Sequence, residues 1–362
     1  LQLQSQEVLL RTQIFQRLEP EICFDTHEYK VHTENTNVDL HDMQLSTNFS
    51  VKSTDDFCDT ALTLCYEAFD RAKENNLSYD WYSNAVTGFN ANIGTSNVAY
   101  RGSLVFLTET HGKYGGNQQL ERRMMGHISM VTGVLDYVNE HTDAVQQVVD
   151  EQRQVIVDRG LTYDESDIIA LKTSSSEHEE HYINGQQIHT ASGVISDSLF
   201  LGHIYDVVDR SRVAPTAYVI PAGESWNAAV LEKLSQHGIA YTQLPAGTII
   251  SLQQYLGTVK ETTLTEEKPV SFPNGAYVMT MAQEDAYILA LLMEPDVDDV
   301  AGNKGTFAQM GLISAENEKF PIYRYIQDLN SDAFIDYTVA SAAPAGLTVE
   351  AVTAIGGTGK IT

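Results

Sequence analysis

Two stretches decide how this chain is read: PEICFDTHEY (Pro20–Tyr29) and RGSLVFLTETHGKYGG (Arg101–Gly116). Each carries a short apolar run, Ile22–Phe24 in the first and the SLVFLT run of 103–108 in the second. An apolar run of that length bounded by polar and turn residues reads as a buried strand. Both runs lead into ionisable groups: Asp25, His27 and Glu28 in one, Glu109 and His111 in the other. The carboxyl ends of buried strands are where open α/β sheets place polar chemistry. A carboxylate next to an apolar strand costs free energy unless it is paired or used. The pattern therefore predicts two strand-end sites, one around His27 and one around Glu109.

Working outward, residues 1–18 carry apolar side chains at Leu9, Leu10, Ile14, Phe15 and Leu18, one face of a helix that Glu19-Pro20 stops. Residues 29–56 are polar and read as a long loop or lid. Thr54 or Asp55 is placed to cap a helix carrying Phe57, Ala61, Leu64, Cys65, Ala68 and Phe69. Residues 83–102 read as loop, and Gln119 to about Asp158 as one long helical pattern softened near Gly133 and His141. Gly160 ends that pattern and marks a domain boundary. Beyond it, 216–220, 240–244 and 276–281 read as strands. Between them lie a helix capped by Ser225 and running to Gly238, and another from about Gln283 to Glu294. Residues 331–362, rich in Ala, Thr, Val and Gly, read as extended. The expected organisation is α/β: a mixed sheet flanked by helices over 1–160, a smaller α/β domain over 161–330, and the tail.

Composition narrows the function. The chain has 362 residues, with 22 Lys+Arg against 49 Asp+Glu, a net charge of −27. Such a balance argues against nucleic acid or an anionic membrane as partner, because phosphates need neutralising cations. The longest apolar run, Ala286–Met293, is far short of the roughly 20 residues of a membrane span, so no transmembrane segment is expected. Three cysteines, Cys23, Cys58 and Cys65, make no disulfide framework and no Cys-x-x-Cys zinc pair. Few lysines and many Ser, Thr, Asn and Gln favour a secreted or cell-surface protein. Two other clusters carry less. His178-Glu-Glu-His181 follows a Ser-rich stretch and reads as a loop or hairpin. Gly356–Lys360 imitates a phosphate loop, but Ala354 and Ile361 stand where the motif needs Gly and Ser/Thr.

Taken together, the two strand-end segments resemble zinc carboxypeptidases. PEICFDTHEY is similar to the segment that carries that family's third zinc ligand. RGSLVFLTETHGKYGG is similar to the strand and turn that carry its catalytic glutamate, ahead of a long helix. AYVIPAGESWNAAVLEKLSQHGI (Ala217–Ile239), GAYVMTMAQEDAYILALLMEPDVDD (Gly275–Asp299) and FPIYR (Phe320–Arg324) resemble the C-terminal extension of a bacterial branch. The likeness runs over most of 1–330. It implies that His27 binds Zn2+, that Glu109 is the general base and then the acid toward the leaving amine, and that the substrate is a C-terminal or cell-wall peptide. Tyr100 and Arg101, just ahead of the Glu109 strand, are expected to touch substrate.

One departure is large. None of the eleven histidines has Glu three residues on, so the family's His-x-x-Glu motif is absent. The chain resembles the carboxyl-terminal part of such an enzyme. The competing expectation is a non-catalytic carboxypeptidase-like scaffold or binding protein in an extracellular assembly. In either case an apolar face on the first helix and an open strand edge are expected to drive association, with the 331–362 tail as strand donor in a homo-oligomer.

Overall fold

The structure is a computed structural model that describes residues 3, 5–29, 41–50, 53–82, 94–112, 119–174, 181–189, 194–202, 207–298 and 305–329. Over these residues the chain is a mixed α/β protein built on several sheets.

The amino-terminal part contains α1 (Gln6–Leu18), β1 (Ile22–Tyr29), β2 (Met43–Thr47), α2 (Asp55–Glu74), β3 (Tyr79–Trp81), α3 (Gly94–Ala99), β4 (Leu104–His111), α4 (Leu120–Glu140) and α5 (Thr142–Arg159). The four strands form one mixed sheet in the order β1-β4-β2-β3. β1 runs parallel to β4, β2 antiparallel to β4, and β3 parallel to β2. Strand residues alternate between faces, and here the alternation separates two chemistries. One face presents Phe24, Phe106, Met43, Leu45, Tyr79 and Trp81 to α2, α4 and α5, and this is the main core of the unit. The other face begins with Cys23 and Val105 under Phe15, Val98 and Ala99, then turns polar toward the carboxyl ends of β1 and β4.

Both strands run longer than expected. The polar residues Asp25–Glu28 lie inside β1, and Glu109 lies inside β4 rather than past it. An edge strand tolerates such residues because one of its faces is open, and Thr26, His27 and Glu28 are exposed. Two strands went unforeseen. β2 lies within the stretch read as loop, yet all five of its residues are buried. β3 is three residues long, too short to show a period. The stretch read as loop at 83–102 contains α3.

The helices follow local rules. The Thr54 hydroxyl accepts from the Phe57 amide, 3.3 Å, and caps α2. The long helical pattern breaks at His141, which joins α4 to α5, whereas Gly133 sits in unbroken helix. Gly133 is there for proximity: a Cβ would stand 2.6 Å from the Glu67 carbonyl oxygen and 2.8 Å from the Ala68 Cα on α2. On α1, Phe15 packs inward, while Leu10, Ile14 and Leu18 form an exposed apolar stripe.

The second part pairs differently. β9 (Ala217–Pro221), β10 (Thr242–Leu244), β11 (Thr248–Thr258), β12 (Glu261–Leu264), β13 (Lys268–Phe272), β14 (Ala276–Thr280) and β15 (Lys319–Tyr325) form a seven-stranded sheet, β10-β14-β9-β15-β11-β12, with β13 also on β11. Its pairings are all antiparallel. Two ribbons stand outside it: β5 (Ile168–Ser174) with β8 (Val207–Val213), and β6 (His181–His189) with β7 (Val194–Gly202). α6 (Asn227–Gln236) and α7 (Ala286–Met293) complete the unit. Every residue of α7 is buried, as its unbroken apolar sequence requires. Ser225 does not cap α6. Asn227 instead accepts the Glu224 amide on its side-chain oxygen and donates to the Pro221 carbonyl, which folds the turn ahead of the helix.

Gly160 separates the two sheets in sequence but not the cores. Tyr100 and Ile156 belong to the core that β9, β14, α6 and α7 build. A Cβ on Gly160 would stand 2.0 Å from the Met281 carbonyl carbon, so only glycine permits this approach. Residues 331–362, expected to be extended, lie outside the described residues.

Candidate functional site

The parallel register of β1 and β4 places His27 directly beside Glu109. On the other side of β4 the register puts Gln44 beside Glu109, and on β3 it puts Asp80 beside Gln44. Paired residues share a face. His27, Glu109, Gln44 and Asp80 therefore form one polar row across the sheet, with neighbours about 4.8 Å apart along it. The opposite face is fixed independently: Thr108 and Thr110 turn their hydroxyls to His127 of α4, at 3.2 and 3.1 Å. Burial holds the His127 imidazole below its ordinary pKa.

The row is graded in exposure. The His27 side chain is 52% exposed, Glu109 as a residue 6%, and Gln44 3%. The His27 Nε2 lies 3.0 Å from the Asp25 carboxylate, two residues back on the same face of β1. A carboxylate only accepts, so this contact places a proton on Nε2. Orienting a histidine through its second nitrogen in this way is how carboxylates prepare metal ligands. At the far end His41 approaches Asp80, Nδ1 to Oδ2 at 3.8 Å.

One histidine with an orienting carboxylate is not a closed zinc site, which takes three protein ligands plus water in catalytic centres. Among the described residues no three His, Cys, Asp or Glu side chains converge as a metal site. The described donors do not fit zinc by themselves. His32 and Glu34 lie outside the described residues.

Tyr100 and Arg101 are placed apart from the row. They sit at the turn that enters β4, while Glu109 lies five residues along that strand from Leu104, roughly 17 Å at strand rise. Tyr100 is fully buried against Tyr287 of α7, ring centroids 4.7 Å apart. Arg101 makes a largely buried ion pair with Asp285 and donates to the His237 carbonyl. Both side chains join the two units where they were expected to meet substrate. Asp285 is pushed above the usual carboxyl range by burial, against the pull of Arg101. His181 opens β6, in line with the hairpin reading, while His178 and Gly356–Lys360 lie outside the described residues.

Sequence reading included Asp25 in the strand-end group around His27 and missed Gln44 and Asp80 as members of the site. Gln44 and Asp80 carried no signal, because register between non-consecutive strands is not written in local sequence. Compared with protein-family models, curated proteins and solved structures, the chain matches none.

Proposed function

We propose that the chain is a carboxypeptidase-like hydrolase unit acting on peptides, with Glu109 as general base. The observation that carries this reading is the in-register pairing of His27 with Glu109 on the polar face of the sheet. Glu109, nearly buried at the floor of the row, takes a proton from an attacking water and returns it to the leaving amine. Such a transfer is worth typically 10²–10⁴ in rate. His27, exposed and oriented by Asp25, offers one nitrogen to a zinc ion. The remaining ligands have to come from outside the described residues, so no step is assigned to the metal. Secretion or display at the cell surface, and self-association through the exposed α1 stripe or the 331–362 tail, belong to the same proposal.

The test is hydrolysis of peptides with free carboxyl termini by the purified chain with added Zn2+. Wild type is expected to release C-terminal residues and Glu109→Gln to lose about 10²–10⁴ of that rate. Equal rates in the two proteins overturn the role of Glu109. A wild type without activity favours the second reading, a non-catalytic carboxypeptidase-like scaffold or binding protein, which the single described histidine ligand supports.

A further inference from the structure

Among the described residues the β6–β7 ribbon is joined to neither sheet by strand pairing, yet it reaches back to the amino-terminal unit and docks on β3. Three described contacts hold it. The Tyr79 amide donates to the Gln186 side-chain oxygen, 3.2 Å. The exposed Lys73 ammonium of α2 pairs with Asp197 of β7. The third is His41, whose Nε2 lies 2.9 Å from the Gln186 carbonyl oxygen.

His41 is only 7% exposed, and its two ring nitrogens face two acceptors. A carbonyl oxygen accepts only, so Nε2 carries a proton. Nδ1 is buried without a hydrogen-bond partner and is directed at the Asp80 carboxylate, 3.8 Å away. The neutral ring satisfies one of these neighbours, and the imidazolium satisfies both. The same proton would draw Asp80, at the end of the polar row, toward the strand-and-ribbon junction.

We propose that His41 is a proton-operated clamp, which on protonation at Nδ1 binds Asp80 of β3 and the Gln186 carbonyl of β6 together and tightens the β6–β7 ribbon over the Asp80 end of the polar row. The clamp stands whether or not the row performs peptide hydrolysis. The other histidines nearby, His111 of β4 and His181 and His189 of β6, are common to wild type and His41→Gln, so comparing the two isolates His41. Tyr29 of β1 donates its hydroxyl to the His41 carbonyl and stacks edge-on with His111 of β4. Asp42 is held by Arg122 and Ser78. Asp197, behind Gln186, is kept below its usual carboxyl range by the hydrogen bond from Lys73 and stays ionised throughout the histidine range. Histidine is the side chain that changes charge in that range, about pH 5 to 8. Proton uptake linked to ribbon closure means that lower pH favours the closed ribbon.

Amide hydrogen exchange on the full chain between about pH 5 and 8, corrected for intrinsic rates, reads this out. The β5–β8 ribbon serves as internal reference. In wild type the protection of 181–189 and 194–202 is expected to rise severalfold toward low pH relative to that reference. His41→Gln, which still donates to the Gln186 carbonyl but cannot titrate, is expected to show no such rise. Asp80→Asn leaves His41 in place and removes the carboxylate charge that the imidazolium would pair with, and is expected to lose most of it. A flat wild type, or an undiminished rise in His41→Gln, overturns the clamp. If His41→Gln does not fold, an undiminished rise in Asp80→Asn does so instead.

Discussion

Two buried carboxylate clusters among the described residues, one in each unit, are built to opposite plans. In the second unit Glu294, at the end of α7, is fully buried and each of its oxygens is occupied. Tyr218 and Tyr255 donate to Oε1 at 2.8 and 2.6 Å, and Arg212 pairs with Oε2. Asp296, beside it, accepts from Arg210, Arg212 and both the amide and the hydroxyl of Thr262. The Arg212 guanidinium also lies over the Tyr255 ring, 5.3 Å from its centroid. That network is closed. In the first sheet the row runs from a nearly buried Glu109 to a half-exposed His27, open at one end to solvent. A buried acid therefore does not mark a site by itself. What sets the row apart is an acid beside an exposed, carboxylate-oriented histidine.

The largest expected effect strikes the closed network. Glu294→Ala leaves two buried tyrosine hydroxyls without their acceptor and takes from the Arg212 guanidinium one of its two carboxylates, and is expected to destabilise the protein by about 3–5 kcal/mol, read as a lowered denaturation midpoint. A loss below about 1 kcal/mol would mean that water reaches these groups and that the network is open after all.

Asp296 sharpens the contrast through pH. Burial opposes its ionisation, but hydrogen bonds and charge from Arg212, with those from Thr262, outweigh burial and hold its carboxyl below the usual value. A depressed carboxyl contributes stability that is present above the unfolded-state value of about 3.9 and is lost as pH falls through the folded one. Asp296→Asn is expected to cost about 1–3 kcal/mol near neutrality. It is also expected to flatten the fall in stability below about pH 4, measured by denaturation at a series of pH values. A parallel acid limb in both proteins would sink this assignment.

The smallest effect is expected at the row itself. Glu109→Gln keeps shape and hydrogen-bonding capacity, so its unfolding free energy is expected to change by less than about 1 kcal/mol. A chain that loses activity without losing stability has Glu109 for chemistry, whereas a loss comparable to that of Glu294→Ala would put Glu109 in a structural network of the same kind.

How much of this was legible in the sequence differs between the two regions for a physical reason. The first sheet announced itself because its strands are short apolar runs ending in ionisable residues, and the neighbouring helices carry long periodic stripes and a capping threonine. His27 and Glu109 were therefore nameable. Their closeness at one end of one sheet was expected as well; the exact pairing was not, since it depends on how β1 and β4, separated by two helices and two further strands, come into register. The second sheet concealed itself. β11 and β13 mix Gln, Lys and Ser with apolar residues in no strict alternation, and Arg212, Glu294 and Asp296 meet only through tertiary contacts across some eighty residues of chain. Arg101 illustrates the same limit. A cation ahead of the strand carrying Glu109 suggests a substrate contact, and only the docking of α7 shows it paired with Asp285.

The lending of Tyr100 and Ile156 to the second core has a bearing on how the molecule comes into being. Chains emerge from the ribosome amino end first, and domains fold as units in that order. Here the later unit cannot finish on its own material. Its core has two places held by side chains made much earlier, and the Met281 backbone rests on Gly160 of the earlier unit. The first unit thus acts as an intramolecular template for the second. A fragment beginning at Leu161, synthesised alone, would carry a hole where a tyrosine ring and an isoleucine belong, while the same fragment supplied with residues 94–160 would regain the surface against which α7 closes.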